Sequence, residues 1–149
     1  MKKWIEFIEI VIIVLVLTTI LNSYFLDFYK VYGDSMNPLF NNGDVVLAYK
    51  RSDPSSGDII AFYDGNDIIN IKKVIAGPND LVSSDGEKLY VNTKKAGYNQ
   101  QGEFSFELAD DEFFVLGKNN SVSIDSRHTG PIKKDKIIGK IIFKMWPLL

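Results

Sequence analysis

Cysteine is absent from this chain of 149 residues. That excludes disulfides, thiolate metal ligands and thiol redox chemistry. It is compatible with an oxidising, extracytoplasmic compartment without indicating one. Histidine is nearly absent as well: His128 is the only one. A multi-histidine metal site therefore cannot be built, and no metal or other cofactor is expected. No Lys/Arg-rich run appears and the formal net charge is −2, which leaves nucleic acid without an electrostatic footprint. Low-complexity segments are missing too. With 46% hydrophobic residues, the chain reads as one globular domain plus an appendage.

Charge disappears altogether in one place. The segment from Trp4 to Phe25 is strongly apolar, and no charged residue occurs from Ile10 to Leu26. That is at the short end of what crosses a bilayer, roughly 17–25 residues. Glu6 and Glu9 fall at its start, where they can stay at the interface. No pair of small residues follows the run to mark a cleavage site, because Asn22-Ser-Tyr-Phe-Leu26 comes instead. The run is apolar all round, unlike a core helix with one buried stripe. An uncleaved anchor over residues 1–27 is expected, spanning the bilayer about 5–26, with a β domain over 28–149. Lys2 and Lys3 put the N-terminus in the cytoplasm and the domain outside; Lys30, on the far side, reduces that bias.

Beyond the anchor, Gly33-Asp-Ser-Met-Asn-Pro38 places one hydroxyl, Ser35, between turn-forming residues. The intervening residues Asp27 to Asp34 reach roughly 25 Å if extended, so Ser35 acts close to the membrane surface. After it the pattern is β. Apolar runs follow Gly43-Asp44 and Gly57-Asp58, with a loop at Ser52–Gly57 between them. An Ile/Val-rich run covers Asp67–Ile75 and ends at the turn Gly77-Pro-Asn-Asp80. Short strands are predicted at Leu89–Val91, Glu103–Leu108, Glu112–Leu116 and Ile137–Met145, with an exposed polar loop at Asn92–Gly102. Many short strands with regular turn signals predict a mainly β, partly closed barrel or sandwich.

Ser35 needs a base to act as a nucleophile. A Ser-His-Asp set from Ser35, His128 and Asp125 is arithmetically available. Lysine is the alternative, provided burial lowers its pKa far from about 10.4. Most lysines lie in polar stretches, such as Lys94-Lys95 and Lys133-Lys134-Asp-Lys136. Lys72 and Lys73 instead lie within Ile69-Asn-Ile-Lys-Lys-Val-Ile-Ala76. Strand alternation turns one of the pair inward, although such a pair also serves to guard an edge strand against aggregation. A third stretch, Gly117–Arg127, is a hydroxyl-rich loop. Its Asp125 and Arg127 can form a bracing ion pair, and Ser121, Ser123 and Ser126 offer hydroxyls to orient a buried amine.

Taken together, the stretches resemble the type I signal peptidases, membrane-bound Ser/Lys endopeptidases. Gly33–Pro38 resembles their nucleophile box, usually Ser-Met-x-Pro-Thr. Gly43-Asp-Val-Val-Leu47 is similar to the strand box that follows. Ile71–Asp80 resembles the Lys-Arg-Val-x-Gly-x-Pro-Gly-Asp box. Gly117–Arg127 is similar to Gly-Asp-Asn-x-x-x-Ser-x-Asp-Ser-Arg, and Gly139–Pro147 resembles the closing strand. Order and spacing are intact from the anchor to Pro147.

The resemblance implies Ser35 as nucleophile and Lys72 as general base, with Ser123 hydrogen-bonding the Lys72 amine and Asp125 and Arg127 as braces. It implies the Ser35 N–H as an oxyanion donor. Where many members carry a second donor, a serine two residues earlier, this chain has Gly33, as in other Gram-positive members. Such a donor is typically worth about 10²–10³ in rate. The substrate would add as a strand between Phe28–Gly33 and Ile69–Ile71, touching Asn70, with Met36 and Ile71 lining small pockets for Ala-like side chains. The implied partners are preprotein signal peptides and the lipid bilayer, with a secretion translocon as a further candidate. Leu39, Lys118 and Asn79 depart from the usual Thr, Asp and Gly, and Lys118 brings a second positive charge toward Lys73. Those departures keep open a weakly active or inactive relative that assists assembly of pili or surface proteins. A self-cleaving repressor-type protease shares the chemistry, but the anchor and the missing DNA-binding region argue against it.

Overall fold

The computed structural model describes residues 2–145, apart from the side chains of residues 100 and 101. Trp146 and Pro147 of the closing box lie outside the described residues. Helix α1 (Lys2–Phe25) buries none of its residues. It is long and apolar enough to cross a membrane. It runs without a linker into β1 (Leu26–Lys30), which pairs antiparallel with β2 (Val45–Tyr49) from Leu26↔Tyr49 to Lys30↔Val45. The first half of the stretch between the anchor and Ser35, Asp27–Lys30, is thus part of the domain's first strand. Its junction with the helix is fixed by the Lys50 backbone N–H donating to Phe25 O at 2.8 Å. Lys50 Nζ also donates to Ser23 O at 3.1 Å.

The main sheet has seven strands in the order β1-β2-β9-β3-β4-β7-β8. Here β3 is Ile59–Tyr63, β4 Ile69–Ala76, β7 Glu112–Leu116, β8 Ile132–Lys133 and β9 Ile137–Met145. It coils into a half-barrel, the fold class predicted from the short strands and turn signals. Bulges between Leu47 and Ala48, Ala61 and Phe62, and Val74 and Ala76 supply the bending that coiling requires. Next to the β3–β9 bulge, where Gly139 pairs with Ala61, β9 also runs so close to the end of β2 that a Cβ on Gly139 would stand 2.7 Å from Tyr49 O. Three apolar clusters build the core, on both faces of the sheet: Phe113 and Val115 of β7 join one cluster, and the alternating Phe114 and Leu116 join another. One joins Val31, Met36, Phe40 and Val46. A second joins Ile60, Phe62, Val74, Phe113 and Val115. The third lies under a separate two-stranded ribbon, where Val82 and Leu89 meet Phe114 and Leu116.

That ribbon is where sequence and structure differ most. Strands β5 (Leu81–Val91) and β6 (Lys94–Glu107) pair over nearly their full lengths. The segment Asn92–Gly102, expected as a loop, is therefore a turn of two residues followed by strand. Asn92 and Thr93 both adopt positive φ, 49° and 70°, the pairing that a tight hairpin needs to match strand twist. Polarity concealed the strand, because a ribbon standing off the main sheet buries only one stripe.

Candidate active site

Ser35 sits in a turn whose ends are tied together. Val31 N–H donates to Asp44 O, and Gly43 N–H to Val31 O, each at 2.8 Å. Gly33 reverses the chain at φ +78°, a conformation costly for any other residue here. Its N–H donates to Asn42 Oδ1 at 3.1 Å. Met36 and Phe40 are buried in the first cluster, which leaves Ser35 half-buried at the mouth of the turn. Ser35 O accepts from Asn119 N–H at 2.9 Å. The Ser35 N–H donates to no group among the described residues.

Strand β4 brings up the amine. Cross-strand registry sets Lys72 opposite Ile60, so alternation turns it into the domain while Lys73 faces the other way. Lys72 is only 3% exposed. Its Nζ lies 2.7 Å from Ser35 Oγ. Burial lowers its pKa below the ordinary 10.5; the charge of Asp125 opposes that shift and that of Arg127 adds to it. Lys73 instead lines a surface hollow with Lys94 and Lys95, and Lys118 is exposed. Neither Lys73 nor Lys118 has an ion pair among the described residues.

The loop Gly117–Arg127 closes around one buried carboxylate. Asp125 Oδ2 accepts from Gly117 N–H at 2.9 Å, Ser123 Oγ at 2.7 Å and Arg127 Nη2 at 2.8 Å. Oδ1 accepts from Arg127 Nε at 2.7 Å. Burial alone would raise the Asp125 pKa. Arg127, Ser123 and the Gly117 N–H outweigh it and hold the carboxyl below its usual range.

The hydroxyls therefore do not serve where they were expected to. Ser123 donates to Asp125, and no hydrogen bond joins it to Lys72 among the described residues. Ser126 Oγ accepts from Val115 N–H at 3.0 Å, and Ser121 donates to Asn119 Oδ1 at 2.7 Å. A carboxylate with open lone pairs competes for a nearby hydroxyl more strongly than an amine does. Gly117 was overlooked in the sequence. A Cβ there would lie 2.1 Å from Ser123 Oγ and 2.7 Å from Ser35 O, so loop and turn meet only because that side chain is missing. His128 is exposed, with Nδ1 3.9 Å from Asp125 Oδ1, and lines none of the hollows around Ser35.

A cleft of about 460 Å³ opens beside Ser35, between Phe28–Tyr32 on one wall and Ile68–Ile71 on the other, with Met36 within it. Both walls carry unpaired strand edges. β1 ends the sheet. β4 pairs with β7 only from Lys73 onward, which leaves the outer edge of Ile69–Ile71 without a strand among the described residues. Such a gap can take an extended peptide. Asn70 stands at the cleft with its amide donating to Asp64 Oδ2 at 3.0 Å.

A hydroxyl held against a buried amine, beside a slot shaped for a strand, is the arrangement of a peptide-cutting hydrolase. Comparison with known proteins makes the class specific. The family model described as "Signal peptidase, peptidase S26" matches residues 4–146. The chain is 30% identical to signal peptidase IB of Staphylococcus aureus (strain Mu50), with 98% of this chain and 91% of that protein covered. It is 33% identical to signal peptidase I V of Bacillus subtilis (strain 168), covering 95% and 98%. A crystal structure of a signal peptidase I from Enterococcus faecalis V583 shares the fold at TM-score 0.53, over 61% of this chain and 98% of that one, at 23% identity. The chain belongs to the signal peptidase family S26 and is a serine endopeptidase of the kind that removes signal peptides.

Proposed function

We propose that the protein cuts N-terminal signal peptides from exported preproteins at the outer face of the membrane, with Ser35 as nucleophile and Lys72 as general base. The observation that carries this is the 2.7 Å contact between the Ser35 hydroxyl and an amine excluded from water. Desolvation favours the neutral amine, and only a neutral amine can accept a proton. Lys72 takes the Ser35 proton as Oγ adds to the scissile carbonyl. The carbonyl oxygen becomes an oxyanion facing the uncommitted Ser35 N–H. The Lys72 ammonium then protonates the leaving nitrogen, the C–N bond breaks, and the acyl group remains on Ser35. Water, deprotonated by Lys72, hydrolyses the ester and returns the proton to Ser35. Asp125 and Arg127 position the loop against the Ser35 turn without touching substrate.

The residues before the cut lie in the cleft as an added strand between β1 and Ile69–Ile71, and Met36, Ile71, Asn70 and Gly33 bound the small side chains that fit. Residues 1–27 anchor the enzyme, and Lys2 and Lys3 keep the N-terminus cytoplasmic. The domain then works at the bilayer surface, within reach of lipid and of a translocon delivering preproteins. Incubating the detergent-solubilised full chain with a preprotein tests the assignment. Cleavage by wild type and none by Ser35→Ala or Lys72→Met is expected. Turnover retained in Lys72→Met returns the base to His128, and no wild-type turnover at any pH supports an assembly role. Protease added outside intact cells should digest residues 28–149 and spare the N-terminus; the reverse overturns the topology.

A further inference from the structure

Ser35 borders two hollows. The cleft lies on one side; on the other lies a hollow of about 290 Å³ that reaches both Ser35 and Lys72. It shares Tyr32 and Asn70 with the cleft, and its own walls come from Gly33, Asp34, Val122 and Ile124. Alternation in the loop buries Ser123 and Asp125 and turns Val122 and Ile124 outward, at 58% and 71% exposure. Tyr32 faces them at 78%. A single bare apolar residue on a surface needs no explanation. Here three such side chains, Tyr32 before the Ser35 turn and Val122 and Ile124 in an otherwise polar loop, rim a depression that contains the reacting hydroxyl and amine.

A peptide crossing Ser35 in extended form must leave one half on each side of it. With the residues before the cut in the cleft, the departing half has this hollow next to it. We infer that Tyr32, Val122 and Ile124 form the subsite for the residues immediately after the scissile bond, and that it favours apolar side chains and rejects acidic ones. Apolar contact rewards the first, and the Asp34 carboxylate disfavours the second. This rests on the assignment of the cleft given above. Because the departing half leaves when the acyl-enzyme forms, the selection acts on acylation, not on hydrolysis of the shared acyl-enzyme.

The test uses peptides identical up to the cut, with Ala at the positions one and three residues before it, and with Leu, Ala or Asp directly after it. For the full-length wild type, kcat/KM is expected to be roughly tenfold higher with Leu than with Asp, the low end of what an open apolar site discriminates. The rate of acyl-enzyme hydrolysis should be equal for all three. Val122→Ser/Ile124→Ser should bring the Leu/Asp ratio to within about twofold, while Ile142→Ser, an exposed apolar residue on β9, keeps the wild-type ratio. Equal wild-type rates for Leu and Asp, or a ratio that survives the double substitution, overturn the subsite and leave the peptidase assignment standing. Failure of the wild type to cut any of the three overturns both.

Discussion

Replacing Asp125 by Asn should cost this domain far more than one charge on its surface would suggest. The carboxylate is fully buried and its guanidinium partner nearly so. Its two oxygens accept five hydrogen bonds, one each from Gly117 and Ser123 and three from Arg127, whose backbone N–H adds a long one at 3.4 Å. An amide keeps one acceptor and turns two N–H groups toward donors that have nowhere else to go. Breaking a buried pair by removing one partner costs about 3–5 kcal/mol. For a domain of this size that is a fall in Tm of roughly 10–20 °C. Near-UV circular dichroism of the detergent-solubilised protein follows the loss of aromatic packing in the β domain, away from the far-UV helical band of α1. The wild type should also lose stability as pH falls below about 3.8 toward the lowered folded pKa of Asp125, because there the unfolded chain binds the proton first. The variant should lack that part of the acid dependence. In whatever fraction stays folded, the rising limb of the pH–rate curve should move to lower pH, since a charge favouring protonated Lys72 is gone. A fall in Tm below about 4 °C would refute the role of Asp125 as the loop's centre.

Gly117→Ala should lower peptide cleavage by roughly 10²-fold, because the methyl displaces either Ser123 or the Ser35 carbonyl and a shift near 1 Å suffices for that loss; Gly65→Ala, with open space around it, should be silent in the same assay. Lys72→Met should abolish cleavage yet raise stability near pH 7 by about 1–3 kcal/mol, the usual cost of burying polar hydrogens without enough partners, as read by chemical denaturation. The wild type should gain stability with pH between the lowered folded pKa of Lys72 and the unfolded value near 10.5, because over that span the unfolded chain holds the extra proton, and the variant should lose this slope. The wild-type kcat/KM should rise through that same lowered pKa and fall only in the alkaline range; a rise centred near 6.5 would point to His128.

The strands that build the half-barrel were legible because each carries an apolar run between glycine or proline turns, and β2, β3, β4, β7 and β9 lie close to where those runs predict them. Lys72 was legible for the same reason: an Ile/Val-rich strand cannot keep both members of a lysine pair in water. The ribbon was not legible, since a strand that buries a single stripe outside the main core has the composition of a loop, and Asn92-Thr93 lacks the glycine that usually announces a tight hairpin. The loop 117–127 was legible only in part. Its acid and arginine suggested a pair, but nothing in the order of residues says that Ser123 serves the carboxylate rather than the amine. That outcome depends on a backbone approach through Gly117 that exists only in three dimensions.

The ionisation of Lys72 bears most directly on the chemistry, and it can be observed without turnover. Lysine labelled with ¹³C at Cε, titrated by NMR in the full-length protein and in Lys72→Met to identify the resonance, reports the charge of this amine alone. A midpoint clearly below 10.5 is expected, with the lysines of the polar stretches near their usual value. A Lys72 midpoint at or above 10.5 would leave the amine charged at working pH, unable to take the Ser35 proton, and would contradict the proposed mechanism.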